Sequence, residues 1–287
     1  MNANPIVSVL ITAYNRESYI AEAIESVLAS TFDNWEMIIV DDCSTDSTVS
    51  IAKQFEKQDE RVKVFVNEKN LGQFQNRNKA ASYAKGKYLK YLDSDDMILT
   101  DGLCYCVYQM EMFPTASIGL ITFDKKVQGP TLFPSHLVIK EHFFINSSLH
   151  IGPTGTIIRR DFFESNNGFD ARFEVTSDNY FNIQMAIAGD VVFMPYQFFY
   201  YRRHEGQEIN NSLGYLIYNF LYSKELFNSG KLPLSREEVT FLKRKLQKRH
   251  SVNLVRHSLS TGSLKDSLLV MEKTGYSLWS FFKGFFY

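Results

Sequence analysis

Apolar and polar positions alternate in blocks along the first hundred residues, and the blocks switch between the period of a strand and that of a helix. Runs of β-branched and apolar residues bounded by polar turns predict strands. Between them, apolar residues recur at three- and four-residue spacing, as at Ile20, Ile24 and Val27, which predicts helices. Strand and helix in alternation indicate an α/β protein with a largely parallel sheet and right-handed crossovers. The predicted strands are 6–12, 35–40, 62–66 and 87–92.

Three carboxylates lie within four residues at the end of the fourth predicted strand, in Asp93-Ser94-Asp95-Asp96. Like charges repel, and a carboxylate near a low-dielectric core resists ionisation. A divalent cation removes both problems, and such oxygen ligands suit Mg²⁺ or Mn²⁺ that carries a substrate phosphate. Strand alternation predicts that Asp93 and Asp95 point to the same side. The alternative is a solvated acidic turn that caps the next helix.

Polar residues that follow the predicted strands collect at one edge of the sheet, where parallel α/β sheets bind ligands. This edge carries 12–16, 41–42 and 93–96. The chain has no G-x-G-x-x-G sequence and no Walker lysine loop, which disfavours a dinucleotide-binding Rossmann domain and a P-loop NTPase. A nucleotide bound by acidic side chains indicates a metal-held diphosphate, with carboxylates accepting bonds from the base and ribose.

Five ordered motifs in the first hundred residues resemble those of family 2 glycosyltransferases, which have the GT-A fold and invert the anomeric centre. Looser similarity continues over the first two hundred residues and ends near Asn211. The resemblance implies a Rossmann-like, mixed but mainly parallel sheet flanked by helices. It also implies a nucleotide-sugar glycosyltransferase domain over 1–210 and a helical C-terminal region over 211–287. The motifs are 7–16, 38–46, 70–72, 77–78 and 91–96, followed by 168–170, 177–178 and 200–204.

The resemblance assigns the first two motifs to the nucleobase. Thr12, Tyr14 and Arg16 match residues that lie around the base in the family. Asp42 matches a carboxylate that accepts a hydrogen bond from the uracil ring, and Asp41 adjoins it. The donor implied in this way is a UDP-sugar.

The later motifs imply the diphosphate and metal sites. Arg77 matches a basic residue near the diphosphate, and Asp93 a position near both the ribose and the metal, with Ser94 beside it in the nucleotide site. Asp95 matches the main carboxylate ligand of the metal. His204 resembles a histidine that completes the metal or phosphate site in some members. The implied cofactor is Mn²⁺ or Mg²⁺.

Inversion requires a carboxylate that removes the proton of the acceptor hydroxyl as it attacks the anomeric carbon. The family places this base in a Glu-Asp pair that opens a helix. Here the matching pair is Ser177-Asp178, so Asp178 is the candidate base and Glu174 the second choice. The alternative is that Ser177 and Asp178 only cap the helix that follows.

The composition changes after about residue 211. A basic amphipathic stretch over 243–257 and an aromatic tail over 276–287 indicate peripheral attachment to an anionic membrane surface. The alternative is a helical appendage that packs on the catalytic domain or on the second subunit of a homodimer.

Composition also bears on compartment and partners. The three cysteines have no zinc spacing, their odd number fits a reducing compartment, and Cys104 is expected in the core. The chain has no run of about twenty apolar residues and no signal-like N-terminus, so we expect a cytoplasmic protein that is soluble or attached to the inner face of the membrane. A net charge of −1 and the lack of a basic stripe disfavour nucleic-acid binding.

These features together predict a metal-dependent, inverting glycosyltransferase that acts in polysaccharide or glycan synthesis. Its acceptor is expected to be a saccharide or a lipid-linked saccharide. A sugar nucleotidyltransferase is disfavoured because the glycine-rich N-terminal loop with a basic residue is absent. A catalytically silent binding subunit is suggested only by the altered Ser177-Asp178 pair.

Overall fold

The computed structural model describes residues 4–204 and 211–287. Within these ranges the strands are β1 (Val7–Ala13), β2 (Trp35–Asp41), β3 (Val62–Val66), β4 (Tyr88–Asp93), β5 (Met97–Ile98), β6 (Ala116–Ile121), β7 (Thr131–Phe133), β8 (Thr156–Arg159), β9 (Asp190–Met194) and β10 (Phe199–Tyr200).

The helices are α1 (Ile20–Leu28), α2 (Thr48–Gln58), α3 (Gln73–Ser82), α4 (Gly102–Met112), α5 (Ser135–Phe144), α6 (Arg160–Ser165), α7 (Ser177–Ala188), α8 (Ser212–Asn228), α9 (Arg236–Thr261), α10 (Leu264–Thr274) and α11 (Leu278–Gly284). Two short 3-10 segments, Pro153–Gly155 and Ala171–Thr176, precede β8 and α7.

The main sheet has the strand order β3-β2-β1-β4-β8-β6-β9-β7. β1 pairs in parallel with both β2 and β4, and β3 extends this parallel half beside β2. β8 is antiparallel to both β4 and β6, while β6 and β9 are again parallel. The predicted α/β class with a mixed, mainly parallel sheet is confirmed. The first four strands lie within one residue of their predicted limits, because their apolar runs end at polar turns.

Two hydrophobic clusters cover the two faces of the sheet. Leu10 and Ile38 belong to one, and their neighbours Val9 and Ile39 belong to the other. Adjacent side chains of a strand point to opposite faces, so β1 and β2 are buried on both sides and read as continuous apolar runs. Helices α1 and α4 contribute to one cluster, and α3 and α7 contribute to the other.

The C-terminal helices share the first of these clusters. Tyr222 and Leu226 of α8 and Leu242 of α9 are buried in it. The predicted division at 210 falls at the end of 205–210, which lie outside the described residues, and stays a prediction. The expectation for Cys104 is wrong: it is exposed, and Cys106 two positions on is buried, because α4 turns Cys106 towards the sheet. No helix in the described ranges has the length and apolar character required to cross a bilayer.

Candidate active site

The acidic motif forms a tight turn at the end of β4. The strand ends at Asp93, and the N–H of Asp96 donates to the carbonyl of Asp93 over 2.9 Å. Asp93 pairs with Arg77 over 2.8 Å, whereas Asp95 lies 2.8 Å from Nε2 of His204. β4 ends at Asp93, so the alternation of a strand does not extend to Asp95. Asp93 and Asp95 have different partners, and their pointing to the same side stays a prediction.

His204 reaches the acidic turn through a second, two-stranded sheet. β5 follows the turn directly and pairs antiparallel with β10, which ends four residues before His204. The imidazole also stacks on Tyr19, with ring centroids 5.0 Å apart. This long-range pairing brings together two motifs that lie about a hundred residues apart in the sequence.

Asp95 and His204 are the two predicted metal ligands that meet in the structure. Among the described residues there is no group of three or more His, Cys, Asp and Glu side chains arranged to hold a metal, because Asp93 is turned towards Arg77. One carboxylate and one imidazole nevertheless fit Mn²⁺ or Mg²⁺, which commonly take one or two protein ligands together with substrate phosphates. Nε of Arg16 lies 3.6 Å from Asp95 and compensates part of its charge.

Asp96 is buried below the turn. Its Oδ1 accepts a hydrogen bond from the backbone N–H of Arg202 over 3.1 Å. Burial, reinforced by the charge of Asp93, raises the pKa of Asp96 to about 7. Ser94 is also buried, at the tip of the same turn.

The two aspartates after β2 are buried and hydrogen-bonded within the protein. Asp42 accepts bonds from the side chain of Asn67 and from the N–H groups of Leu71 and Gly72, over 2.8–2.9 Å. Asp41 accepts from the N–H and the hydroxyl of Ser44. The turn at 70–72 therefore fixes Asp42, and the predicted contact of Asp42 with uracil stays a prediction.

The loop after β1 lines the open side of the cleft. Thr12 lies between Val40 and Asp93 in the sheet register, and the Tyr14 side chain is 46% exposed. The backbone N–H of Arg16 donates to the hydroxyl of Thr48 over 2.7 Å, which ties this loop to the start of α2. An exposed tyrosine therefore lies close in sequence to an arginine that approaches the acidic turn, and the predicted contact of these residues with a nucleobase stays a prediction.

Arg77 is buried in α3 and aims at the acidic turn. Its guanidinium lies 5.6 Å from the ring centroid of Phe74 and 5.8 Å from that of Tyr91. Nη2 donates to Asp93, whereas Nε and Nη1 have no hydrogen-bond partner among the described residues. Buried donors without acceptors are costly, and phosphate oxygens are strong acceptors for arginine.

Asp178 is the second residue of α7. Oδ1 accepts a bond of 2.7 Å from the N–H of Asn179. Burial raises the pKa of Asp178 to about 6, against the lowering effects of that N–H group and of the Arg77 charge. The N-cap residue is Thr176, and the Ser177 hydroxyl donates to the carbonyl of Asp170 over 2.8 Å. Asp178 still satisfies one free N–H group of the first turn, so the capping alternative is not excluded by these contacts.

Glu174, the second choice for the base, has an unusual backbone. Its φ of 39° and ψ of −121° lie outside the regions that non-glycine residues normally adopt. Its side chain is exposed and turns to α8, where burial and a hydrogen bond with Glu174 raise the pKa of Tyr218 to about 12.

Two supporting contacts are not evident from the sequence. The Asn78 side chain bonds both the N–H and the carbonyl of Phe169, over 2.9 and 2.8 Å, and so joins α3 to the segment before Asp178. Lys90, fully buried in β4, donates to the carbonyls of Tyr91 and Thr154. The contact of Lys90 could have been suspected from the sequence, because a lysine is unusual inside an apolar strand.

The sequence matches a known protein family over most of its length, including the residues of this site. A model of the family described as "Glycosyl transferase family 2" matches residues 8–232. The chain belongs to glycosyl transferase family 2. Glycosyltransferase GlyG of Streptococcus pneumoniae is 30% identical over 221 residues, which cover 70% of this chain and 72% of GlyG.

Other relatives are matched over shorter stretches. The Escherichia coli protein named UDP-Glc:alpha-D-GlcNAc-diphosphoundecaprenol beta-1,3-glucosyltransferase WfgD is 40% identical over 98 residues, or 34% of this chain and 38% of WfgD. This chain matches only part of seven curated relatives, WfgD among them: the matched share of their own length lies between 19% and 50%.

The fold is shared with solved glycosyltransferases. The structure of S. aureus TarS 1–349 in complex with UDP-GlcNAc superposes with a TM-score of 0.72 at 21% identity, over 97% of this chain and 81% of that one. The GT-A fold implied by the family 2 motifs is thereby confirmed, including the C-terminal helices.

Proposed function

We propose that this family 2 protein is an inverting glycosyltransferase that moves a sugar from a UDP-sugar to a saccharide acceptor during glycan synthesis. The family membership supports the transfer reaction. The similar TarS fragment was solved in complex with UDP-GlcNAc, and the name of WfgD specifies UDP-Glc and a diphosphoundecaprenol-linked acceptor. These relatives support a UDP-sugar donor and a lipid-linked acceptor for this chain.

One observation carries the proposal: Arg77 and Asp93 pair over 2.8 Å, and the charges of both act on the Asp178 carboxyl. The candidate base, the candidate diphosphate-binding residue and the acidic turn therefore lie close together. Direct displacement needs the base on the acceptor side and the leaving group on the donor side.

In the proposed reaction, an acceptor hydroxyl attacks the anomeric carbon of the donor sugar. The Asp178 carboxylate takes the hydroxyl proton, the bond from the anomeric carbon to the diphosphate oxygen breaks, and UDP leaves. A carboxyl with a pKa near 6 is ionised at neutral pH yet more basic than an ordinary aspartate, which suits a general base. Arg77 has two buried nitrogens, Nε and Nη1, without hydrogen-bond partners among the described residues, and its positive charge would stabilise the developing charge on the diphosphate.

A divalent cation is part of the proposal. Asp95 and His204 are the residues that would hold it, since their side chains meet over 2.8 Å and combine oxygen and nitrogen donors. A bound Mn²⁺ or Mg²⁺ supplies charge compensation for the diphosphate leaving group.

We further propose that the C-terminal region contacts the cytoplasmic face of a membrane, where a lipid-linked acceptor would be found. The support is the basic and aromatic composition of 243–257 and 276–287. A homodimer remains the alternative use of the same helices.

The test is release of UDP from a panel of UDP-sugars by the full chain, with Mn²⁺, with Mg²⁺ and with a chelator. We expect metal-dependent release that accelerates with a lipid-linked saccharide, and a product of inverted anomeric configuration. Binding of UDP-sugar without any release would favour the catalytically silent subunit. Release of pyrophosphate from a nucleoside triphosphate and a sugar phosphate would favour the nucleotidyltransferase.

A further inference from the structure

The C-terminal end of the described chain carries an exposed apolar surface. Large apolar residues are usually exposed singly on soluble proteins, and contiguous patches mark sites of interaction. Here six occur within ten residues, with exposures that reach 76% at Trp279 and 88% at Phe286. We call them the aromatic face of α11, a name that includes the three residues after the helix: Leu278, Trp279, Phe282, Phe285, Phe286 and Tyr287.

The opposite side of α11 is fixed to α9, so the aromatic face has a defined direction. Gly284 is buried, and a Cβ there would overlap the hydroxyl of Ser251. The same Ser251 hydroxyl donates to the carbonyl of Phe281 over 2.9 Å. Ser277 caps the helix by accepting a bond from the N–H of Ser280. The aromatic face therefore points outward because the helix is packed by its other side.

Basic residues border the aromatic face. The guanidinium of Arg244 and the ammonium of Lys283 lie 5.9 and 5.6 Å from the centroid of the Tyr287 ring. Between 239 and 261 the sequence of α9 has six lysines and arginines and no acidic residue. The surface thus combines exposed aromatic side chains with positive charge that no acid on the same stretch of α9 neutralises.

We propose that the aromatic face of α11 docks on an anionic lipid bilayer, with Arg244 and Lys283 at the level of the headgroups. Trp and Tyr favour the membrane interface, and basic residues beside a polar–apolar boundary are attracted by anionic lipids. A second copy of this chain is a poorer occupant. A two-fold interface sets the same patch against itself, and would bring the basic border of one copy against that of the other.

The docking surface is linked to the acceptor side of the cleft through packed helices. α11 packs on α9, α9 on α8, and α8 on the 3-10 segment Ala171–Thr176, which leads into Asp178. This inference deepens the membrane contact proposed above and rests on it. It names the residues that would touch lipid. Vesicle binding is measured without nucleotide, so a negative result would not contradict the proposed glycosyl transfer.

The first test measures partition of the full chain to vesicles of phosphatidylcholine, alone or mixed with phosphatidylglycerol. Replacing two aromatic residues by Trp279→Ser and Phe286→Ser should reduce binding to the mixed vesicles by at least about tenfold, because each removes apolar area from the contact. Phe123→Ser is the matched control, since Phe123 is 74% exposed on another part of the surface and should not matter.

The charge reversals Arg244→Glu and Lys283→Glu should abolish the preference for anionic vesicles. Lys57→Glu should leave it unchanged, because Lys57 is an exposed residue of α2, far from α11 in the sequence. Raised salt should weaken wild-type binding, because exposed charges are screened within about 10 Å at 0.1 M ionic strength. Equal binding of all variants, or wild-type binding that ignores anionic lipid, would overturn the proposal.

A direct readout comes from the two tryptophans. Trp35 is buried and Trp279 is exposed, so a blue shift in a Trp35→Phe variant on addition of anionic vesicles reports Trp279 entering lipid. Absence of the shift in a folded Trp35→Phe protein contradicts the proposal. A vesicle-independent dimer that Trp279→Ser and Phe286→Ser dissociate would assign the surface to a second copy instead, and would also overturn it. UDP release by the same variants, measured without vesicles, checks that the cleft is intact.

Discussion

The proposed donor side and the proposed acceptor side of the site treat their carboxylates differently. On the donor side, Asp93 pairs with Arg77, Asp95 lies against His204, and Asp42 accepts three hydrogen bonds. On the acceptor side, Asp178 is desolvated, accepts a bond from one N–H group, and has a pKa raised to about 6. Carboxylates that accept several hydrogen bonds or pair with a cation stay ionised and are suited to binding. A buried carboxylate with few such partners has a raised pKa and is suited to taking a proton.

Asp178→Asn is expected to have the largest effect, and it tests the role given to the acceptor-side carboxylate. The amide keeps the shape of the side chain but cannot accept a proton at neutral pH. We expect kcat to fall by about 10²–10⁴-fold with little change in UDP-sugar affinity. Single-turnover transfer and isothermal titration with UDP would be measured side by side.

Asp161→Asn is the matched control, because Asp161 also lies in the first turn of a helix but is exposed and paired with Arg159. Its rate should stay near that of the wild type. A near wild-type rate for Asp178→Asn would move the base elsewhere, with Glu174 next to be tested.

Lys90 adds a buried cation to the comparison, since it lies in β4, the strand that leads to the acidic turn. Burial lowers the pKa of Lys90 to about 8 from an ordinary value of 10.5. Between these pH values the unfolded chain binds more protons than the folded one, so this group makes stability rise with pH. Relative to Lys90→Met, the wild type should gain up to roughly 3 kcal/mol of unfolding free energy from pH 8 to 10.5. Chemical denaturation across this range measures it, and a constant difference would show that the lysine does not titrate there.

The two sides also differ in how much of them the sequence predicts. The donor-side strands were predicted closely because buried parallel strands are continuous apolar runs that end at polar turns, as 88–93 does before Asp95. The family motifs put Asp95 and His204 in one metal site, but the local pattern could not predict their direct contact or the different partner of Asp93. Both depend on where β4 stops and on the long-range pairing of β5 with β10. Local patterns carry no information about such pairing.

The acceptor side was predicted less well for a related reason. Asp178 was found through a motif, but its raised pKa depends on burial that comes from packing. Asn78 on this side, and Lys90 near the acidic turn, were missed because their partners are backbone groups of distant segments, at Phe169 and Thr154. The lysine in an apolar run was itself unusual, but the identity of a backbone partner leaves no signal in the sequence.

Asp95→Ala tests the donor side next. Its carboxylate is the proposed metal ligand, and removing it should reduce the effect of Mn²⁺ on UDP affinity by at least about tenfold, since even residues outside the first ligand shell cost about 10–100-fold in metal affinity. UDP binding would be titrated with Mn²⁺ and with a chelator. The mutant should keep the metal-free affinity of the wild type. An unchanged metal effect in Asp95→Ala would reject Asp95 as a ligand, whatever the transfer rate.

The smallest expected effect concerns the contact that joins the two sides. Gly168 has a φ of +65°, and a Cβ there would lie 2.5 Å from Oδ1 of Asn78, the atom that accepts the N–H of Phe169. Gly168→Ala should cost about 1–2 kcal/mol for the left-handed backbone alone, measured by denaturant unfolding. Gly129→Ala is the control, since a Cβ at that position would meet nothing within 4 Å and its φ is not in the left-handed region. Because the contact between Asn78 and Phe169 positions the segment before Asp178 but no carboxylate of the proposed donor side, the folded Gly168→Ala protein should lose transfer rate while keeping UDP affinity. A parallel loss of UDP affinity would mean that the two sides are not independent, and that the contrast between them lies in their chemistry alone.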